Sequence, residues 1–472
     1  MVFRICQKSG AGDCRKTSRQ SQRILGTSKK SAWHLSPRGE PIMSSVSLHT
    51  SIPGPHDIHR KVLANGITLL VRSNFNSASV VVSGMLGAGS QFDPREKLGL
   101  AHFTSMSLMR GTKNADFQTI FERLESAGAS LGFGASVHNT SVGGRALAED
   151  LPLLVRTMAD SLLNPTFPEQ YFDRLKQQLL TGLAIRAQDT SDRASLAFDS
   201  HLFPNHPYGF PEDGYTETIT AISRQDLADF HAVHFGPDNM VVVVVGAVKP
   251  EEVFSLFEKE LGEWKNPDLV KVKPFPVITA PQKTFREHIS LAGKSQTDIV
   301  MGTLGPKRSA PEYLAVSLGN NILGQFGMMG RIGDVVREKA GLAYYASTSV
   351  NSWIEGGSWE VAAGVNPANT DKAIKLIIQE LEKFCSEPVL QSELDDSQAN
   401  YIGRLPLSLE SNSGVANSIL NLERFSLGLD YFQRYPDLVR EVTPEKVLKA
   451  AQKYIDPKRL IIASAGPGKG KK

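Results

Sequence analysis

The hydrophobic pattern alternates between short strands and amphipathic helices. Lys61–Arg72 reads as two strands around the turn signal Asn65-Gly66, and Ser79–Leu86 as a further apolar strand. From Gly99 to Thr112 the spacing predicts one helix of about three turns, stopped by Gly111. Further helices are predicted over Asp116–Ala127, Asp150–Leu163, Glu169–Ala187, Arg224–His234 and Pro250–Gly262, with strands around Ser130–Phe133 and Val137–Ala146. His201–Tyr215 carries Pro204, Pro207 and Pro211 and reads as loop. Met240–Val248 is mostly valine, a buried strand far shorter than the roughly 20 residues a membrane helix needs.

After Trp264–Lys283, which holds four prolines and little periodicity, the pattern starts again. Strands at Ile289–Leu291 and Thr297–Thr303 precede a helix at Pro311–Leu323, a run containing Gly324, Gly327 and Gly330, and a helix at Arg331–Lys339. Strands around Ala343–Ser349 and Ser358–Gly364 follow, then helices at Asn369–Cys385 and Ser392–Leu405. Thr218–Val248 and Val442–Pro467 both read as capped helix, proline turn and apolar strand, at an offset of about 220 residues, too long for a solenoid repeat. Two copies of one α+β unit account for this, each a mixed or antiparallel sheet with helices packed on it. The expected division is a basic extension (1–42), a first domain (43–263), a linker (264–283) and a second domain (284–472).

Charge changes the reading of the ends more than of the body. Of the net +3, residues 1–42 contribute nine Lys/Arg against two acids, so the rest is mildly acidic and no nucleic-acid partner is expected. The extension is Arg- and Ser-rich, as a mitochondrial transit peptide is, but it also reads as an upstream stretch before a start at Met43. We take the second reading and expect a cytoplasmic, bacterial-type protein, with a mitochondrial one as the alternative. Of three cysteines only Cys385 lies beyond the extension, so no disulfide framework or cysteine metal cluster is expected there.

On the predicted helix, His102, Ser105 and Met106 stand at i, i+3 and i+4 and share a face, the spacing with which His-x-x-Glu-His presents two imidazoles to zinc. Here serine and methionine fill the last two positions. A serine has no useful basicity near neutral pH, and a thioether does not replace imidazole on zinc. His231 and His234, and His201 and His206, have no accompanying carboxylate motif and read as packing or surface residues.

Leu-Ala-Asn-Gly-Ile-Thr-Leu at 63–69, the block Gly87–Thr112, His206-Pro-Tyr-Gly209 and the stretch Val336–Tyr344 together resemble the pitrilysin/insulinase class of zinc peptidases, in its mitochondrial processing peptidase branch. The resemblance spans roughly residues 55–467. It implies a two-domain chain forming half of a clamshell chamber. It also implies that a distal zinc-ligating glutamate would fall near Leu183, where no acid occurs, so one ligand position of three is kept and no metal is expected in this chain. In the family an arginine and a tyrosine seven residues apart hold the substrate backbone and donate to the oxyanion; Arg337 and Tyr344 stand at that spacing. The run Gly324–Gly330 resembles the family's flexible, substrate-gating glycine loop.

The resemblance therefore implies a catalytically incomplete subunit, not an enzyme alone, paired with a homologous zinc-bearing subunit that cleaves peptides or unfolded segments. Zinc is expected in that partner. The same fold serves as a structural core-type subunit of a respiratory reductase. An autonomous metalloendopeptidase with an atypical zinc shell and a peptide-binding homodimer also stand as alternatives.

Overall fold

A computed structural model describes residues 52–327 and 330–468; the basic extension, Met43, Cys6 and Cys14 lie outside the described residues. The first half holds strands β1 (His59–Val62), β2 (Thr68–Ser73), β3 (Ser79–Leu86), β4 (Ser130–Ala135), β5 (Thr140–Leu147) and β6 (Val241–Gly246). Its helices are α1 (Leu100–Ser107), α2 (Phe117–Ser126), α3 (Leu151–Leu163), α4 (Glu169–Arg186), α5 (Thr190–Leu202), α6 (Thr216–Ala221), α7 (Arg224–His234) and α8 (Pro250–Leu261). The second half holds β7 (Phe285–Ser290), β8 (Thr297–Gly305), β9 (Ala343–Ser352), β10 (Gly357–Val365) and β11 (Ile461–Gly466). Its helices are α9 (Tyr313–Gly324), α10 (Gly330–Gly333), α11 (Thr370–Ser386), α12 (Gln391–Ser408), α13 (Asn412–Arg424), α14 (Tyr431–Arg440) and α15 (Pro444–Tyr454).

The two sheets have one topology. The first runs β1-β2-β6-β3-β5-β4 and the second β7-β11-β8-β10-β9, so the second repeats the first without β1. In each, one parallel pair, β2 with β6 and β7 with β11, joins otherwise antiparallel neighbours. The chain is thus two copies of a mixed-sheet α+β domain, and β4 and β9 are corresponding edge strands.

Each sheet is covered on one face by its own helices and on the other by a helix from the opposite half. The period of two makes this visible in the valine run: Val242 and Val244 pack with the first-half helices, whereas Val241, Val243 and Val245 pack with Val415 and Ile419 of α13. Conversely, Ala194, Ala197, Phe198 and Leu202 of α5 pack on Val300, Ile461 and Ala463 of the second sheet. The two exchanged helices start at 190 and 412, which matches the repeat offset of about 220 residues. Polar contacts pin both seams. Ser83 Oγ donates to Asn417 at 2.7 Å, and buried Asp298 accepts from Thr190, from Gln296 at 2.8 Å and from Tyr345 at 2.7 Å.

Two expectations are corrected here. The helix expected over Gly99–Thr112 ends at Ser107, after about two turns, and continues as irregular turns to an isolated bridge at Gly111. Gly99 enters it at φ 96°, where a Cβ would meet Ile219 at 2.6 Å, so only glycine fits that corner. The helix expected over Arg331–Lys339 begins as one α turn and continues as a π-type turn over Asp334–Lys339.

Candidate functional site

The start of α1 is held by Asp93, whose carboxylate accepts the Gly99 and Ala101 N–H groups, each at 2.9 Å. Burial pushes that carboxyl up to about 7, with the backbone donors opposing the rise. His102, half-buried, follows one turn later. Burial lowers its pKa, and nearby Asp213 partly offsets the drop.

The two altered motif positions are satisfied internally. The Ser105 hydroxyl donates to the His102 carbonyl at 2.8 Å, and Met106 packs against the first-half core. Leu183, at the distal position on α4, is 4% exposed within that core. A cavity of about 510 Å³ opens beside His102, and Arg186, Asp199, Glu212, Asp213 and Trp353 also line it. Arg186, three residues past Leu183 on α4, pairs with Asp213 and donates to the Gly214 carbonyl at 2.6 Å. A guanidinium fixed in an ion pair therefore stands in the cavity wall. Burial pushes the Asp199 carboxyl up to about 8, with Glu360 adding to the rise, and raises that of Glu212. Among the described residues no three His, Cys, Asp or Glu side chains converge on one point that could hold a metal ion. One imidazole beside an arginine, with a hydroxyl and a thioether turned to other partners, does not fit a catalytic zinc shell.

The other candidate residues lie at the edge of the second sheet. In the β9–β10 register Ala343 faces Val365 and Tyr345 faces Gly364, so Tyr344 is the extra residue of a β-bulge. Such a bulge re-aims one side chain. Tyr344 is 64% exposed, and its hydroxyl has no hydrogen-bond partner among the described residues, whereas neighbouring Tyr345 is half-buried and tied to Asp298. Arg337 sits in the preceding π-type turn, one-third exposed, and among the described residues its one carboxylate contact is its neighbour Glu338 at 3.7 Å. Neither residue lines the cavity beside His102.

Of the glycine run, Gly324 ends α9 against Thr348, and Gly330 (φ 63°) packs so closely on Gly324 that a Cβ would lie 2.6 Å from its nitrogen. Only Gly327 faces open space. The other histidines have ordinary partners: His231 Nε2 with the Leu162 carbonyl at 2.8 Å, His201 with Glu287 at 2.7 Å, and His206 Nδ1 accepting from the Tyr208 N–H at 3.1 Å. His234 stacks on Phe92, 4.2 Å between ring centroids. Arg186 and Asp213 were not singled out from the sequence. The available signal was a cation one turn beyond the empty ligand position and an acid pair, Glu212-Asp213, directly after Pro211.

Residues 68–208 match the sequence model described as insulinase (peptidase family M16), and residues 221–401 match that of the peptidase M16 inactive domain. The chain belongs to this family of peptidases. It is 26% identical over 425 residues to an uncharacterized zinc protease of Mycobacterium leprae, covering 88% of this chain and 92% of that one. It is 25% identical over 401 residues to the mitochondrial-processing peptidase subunit beta of Saccharomyces cerevisiae, covering 80% and 83%. The crystal structure of a peptidase M16 inactive domain from Pseudomonas fluorescens superimposes with a TM-score of 0.82 at 26% identity, covering 88% of this chain and 99% of that one. No helix among the described residues is long and apolar enough to cross a membrane.

Proposed function

We propose that this chain is the catalytically incomplete subunit of a heterodimeric zinc peptidase. A homologous subunit supplies the zinc and cleaves peptides or unfolded segments, and this chain contributes Arg337 and Tyr344 to the substrate across the interface. The observation that carries the reading is the contrast between two altered motif positions, Ser105 and Met106, that have internal partners and a tyrosine displaced from the ladder by a bulge on an edge strand. An exposed phenol and a partly exposed guanidinium without strong internal partners suit donation to a peptide carbonyl or to charge developing on it. β9 is the last strand of its sheet, the kind of position where an extended peptide can add as a further strand. That neither residue lines the His102 cavity of its own chain is what action on a partner's site requires. The compartment that goes with this reading is the cytoplasm.

The test is co-expression with a homologue that carries intact His-x-x-Glu-His, followed by kinetics of the purified pair. Tyr344→Phe and Arg337→Gln should each lower kcat by about tenfold or more, as loss of an oxyanion donor does, with the zinc content of the pair unchanged. Unchanged turnover in both variants removes the two residues from the mechanism.

A further inference from the structure

A second pocket, of about 280 Å³, lies in the second half where the start of α9 meets α12 and α14. Four tyrosines (Tyr313, Tyr401, Tyr431 and Tyr435) and two arginines (Arg308 and Arg404) line it, and no carboxylate does. Neither arginine has a carboxylate partner among the described residues, unlike Arg331, Arg186 and Arg72. Arg308 is fixed at both ends. Its backbone N–H donates to the Trp353 carbonyl at 2.9 Å, and its guanidinium stacks 4.0 Å from the centre of the Tyr313 ring. Its side chain makes one hydrogen bond, long at 3.4 Å, to the Tyr431 hydroxyl, so most of the planar donor fork is unused. The Tyr401 hydroxyl donates to the Ser317 carbonyl at 3.0 Å, which holds that ring as a wall, whereas the hydroxyls of Tyr313 and Tyr435 have no hydrogen-bond partner among the described residues.

We propose that this pocket binds a small aromatic carboxylate, its ring between the tyrosine faces and its carboxylate on the Arg308 and Arg404 guanidinium groups. A stacked arginine presents parallel N–H bonds that match a planar carboxylate. Aromatic walls add ring contacts with little entropy to lose. The volume lies just below the usual range of small-ligand sites, which suits a single ring with a short acid and excludes a dinucleotide. Such a group is either a free aryl acid or the aromatic C-terminal residue of a peptide. The pocket shares no lining residue with the cavity beside His102, so the inference does not depend on the proposed function.

Isothermal titration of the full chain with 4-hydroxyphenylacetate and with N-acetylphenylalanine tests it, 4-hydroxybenzyl alcohol serving as the neutral control. Saturable one-to-one binding of at least one acid is expected, with the alcohol weaker by about tenfold or more, as loss of a charge-assisted pair implies. Tighter binding of N-acetylphenylalanine would point to a peptide end, and tighter binding of the free acid to a small metabolite. Arg404→Ala, at an exposed position that leaves the fold intact, should weaken the acid by about fivefold, and Arg308→Lys, which keeps the charge but loses the plane, by about tenfold. No saturation by either acid up to about 10 mM overturns the proposal, as does equal affinity for the alcohol or unchanged affinity in both variants.

Discussion

The face of α1 and the edge of β9 started from comparable promise in the sequence and ended in opposite physical states. On α1, Ser105 bonds its own helix, Met106 packs into the core, and the distal position at Leu183 is filled by hydrocarbon. Arg186, paired with Asp213, lines the cavity beside them. On β9, a bulge leaves Tyr344 outside the ladder register and exposed, while the next residue, Tyr345, is bound into the seam between the halves. Polar groups that have found internal partners contribute to stability, and polar groups left without them remain available to a ligand.

Substitutions should divide along that line. The largest effect is expected for Leu183→Glu, which restores the family's acid at a buried position with no zinc shell around it. It should cost about 4 kcal/mol in urea unfolding, because an unpaired carboxylate enters the core. Next is Asp298→Ala, which leaves Thr190 and Tyr345 unpartnered at the seam and should cost about 3 kcal/mol by the same measurement. A further effect, smaller per pH unit, concerns pH. Burial lowers the pKa of His138, His206 and His234 to about 4 each, against about 6.5 unfolded. Unfolding below pH 6.5 therefore takes up protons, so the stability these groups support is full above about 6.5 and is lost as pH falls toward 4. His234→Phe, which keeps the ring stack on Phe92, should flatten that loss by about 1.4 kcal/mol per pH unit within the window. The smallest effect should come from Tyr344→Phe, which should change stability by less than about 0.5 kcal/mol. A cost near that of Asp298→Ala would make Tyr344 a structural residue and erase the contrast.

Much of this was legible in the chain. Alternation marked the strands of both sheets, and the repeated end units gave the duplication. The two exchanged helices were not recognised. In α5 two of the four seam residues are Ala194 and Ala197, which carry little hydrophobic signal, and apart from Leu196 the rest of the helix is polar. In α13 the signal was present as Val415, Ile419 and Leu422 behind a Ser411 cap, but Gly414 and three asparagines dilute it. The Tyr344 bulge depends on which residue of β9 faces which of β10, a tertiary register that periodicity along one strand does not contain. The Arg186–Asp213 pair joins α4 to a proline-rich loop more than two dozen residues later, and only the folded chain brings them together.

The central claim, that this chain gave up its own metal chemistry, is tested most directly by metal analysis of the purified chain alone. After incubation with excess zinc and gel filtration, the account predicts well under one-tenth equivalent of zinc per chain and no cleavage of an unstructured peptide. Zinc near one equivalent together with cleavage, both abolished by His102→Ala, would contradict it.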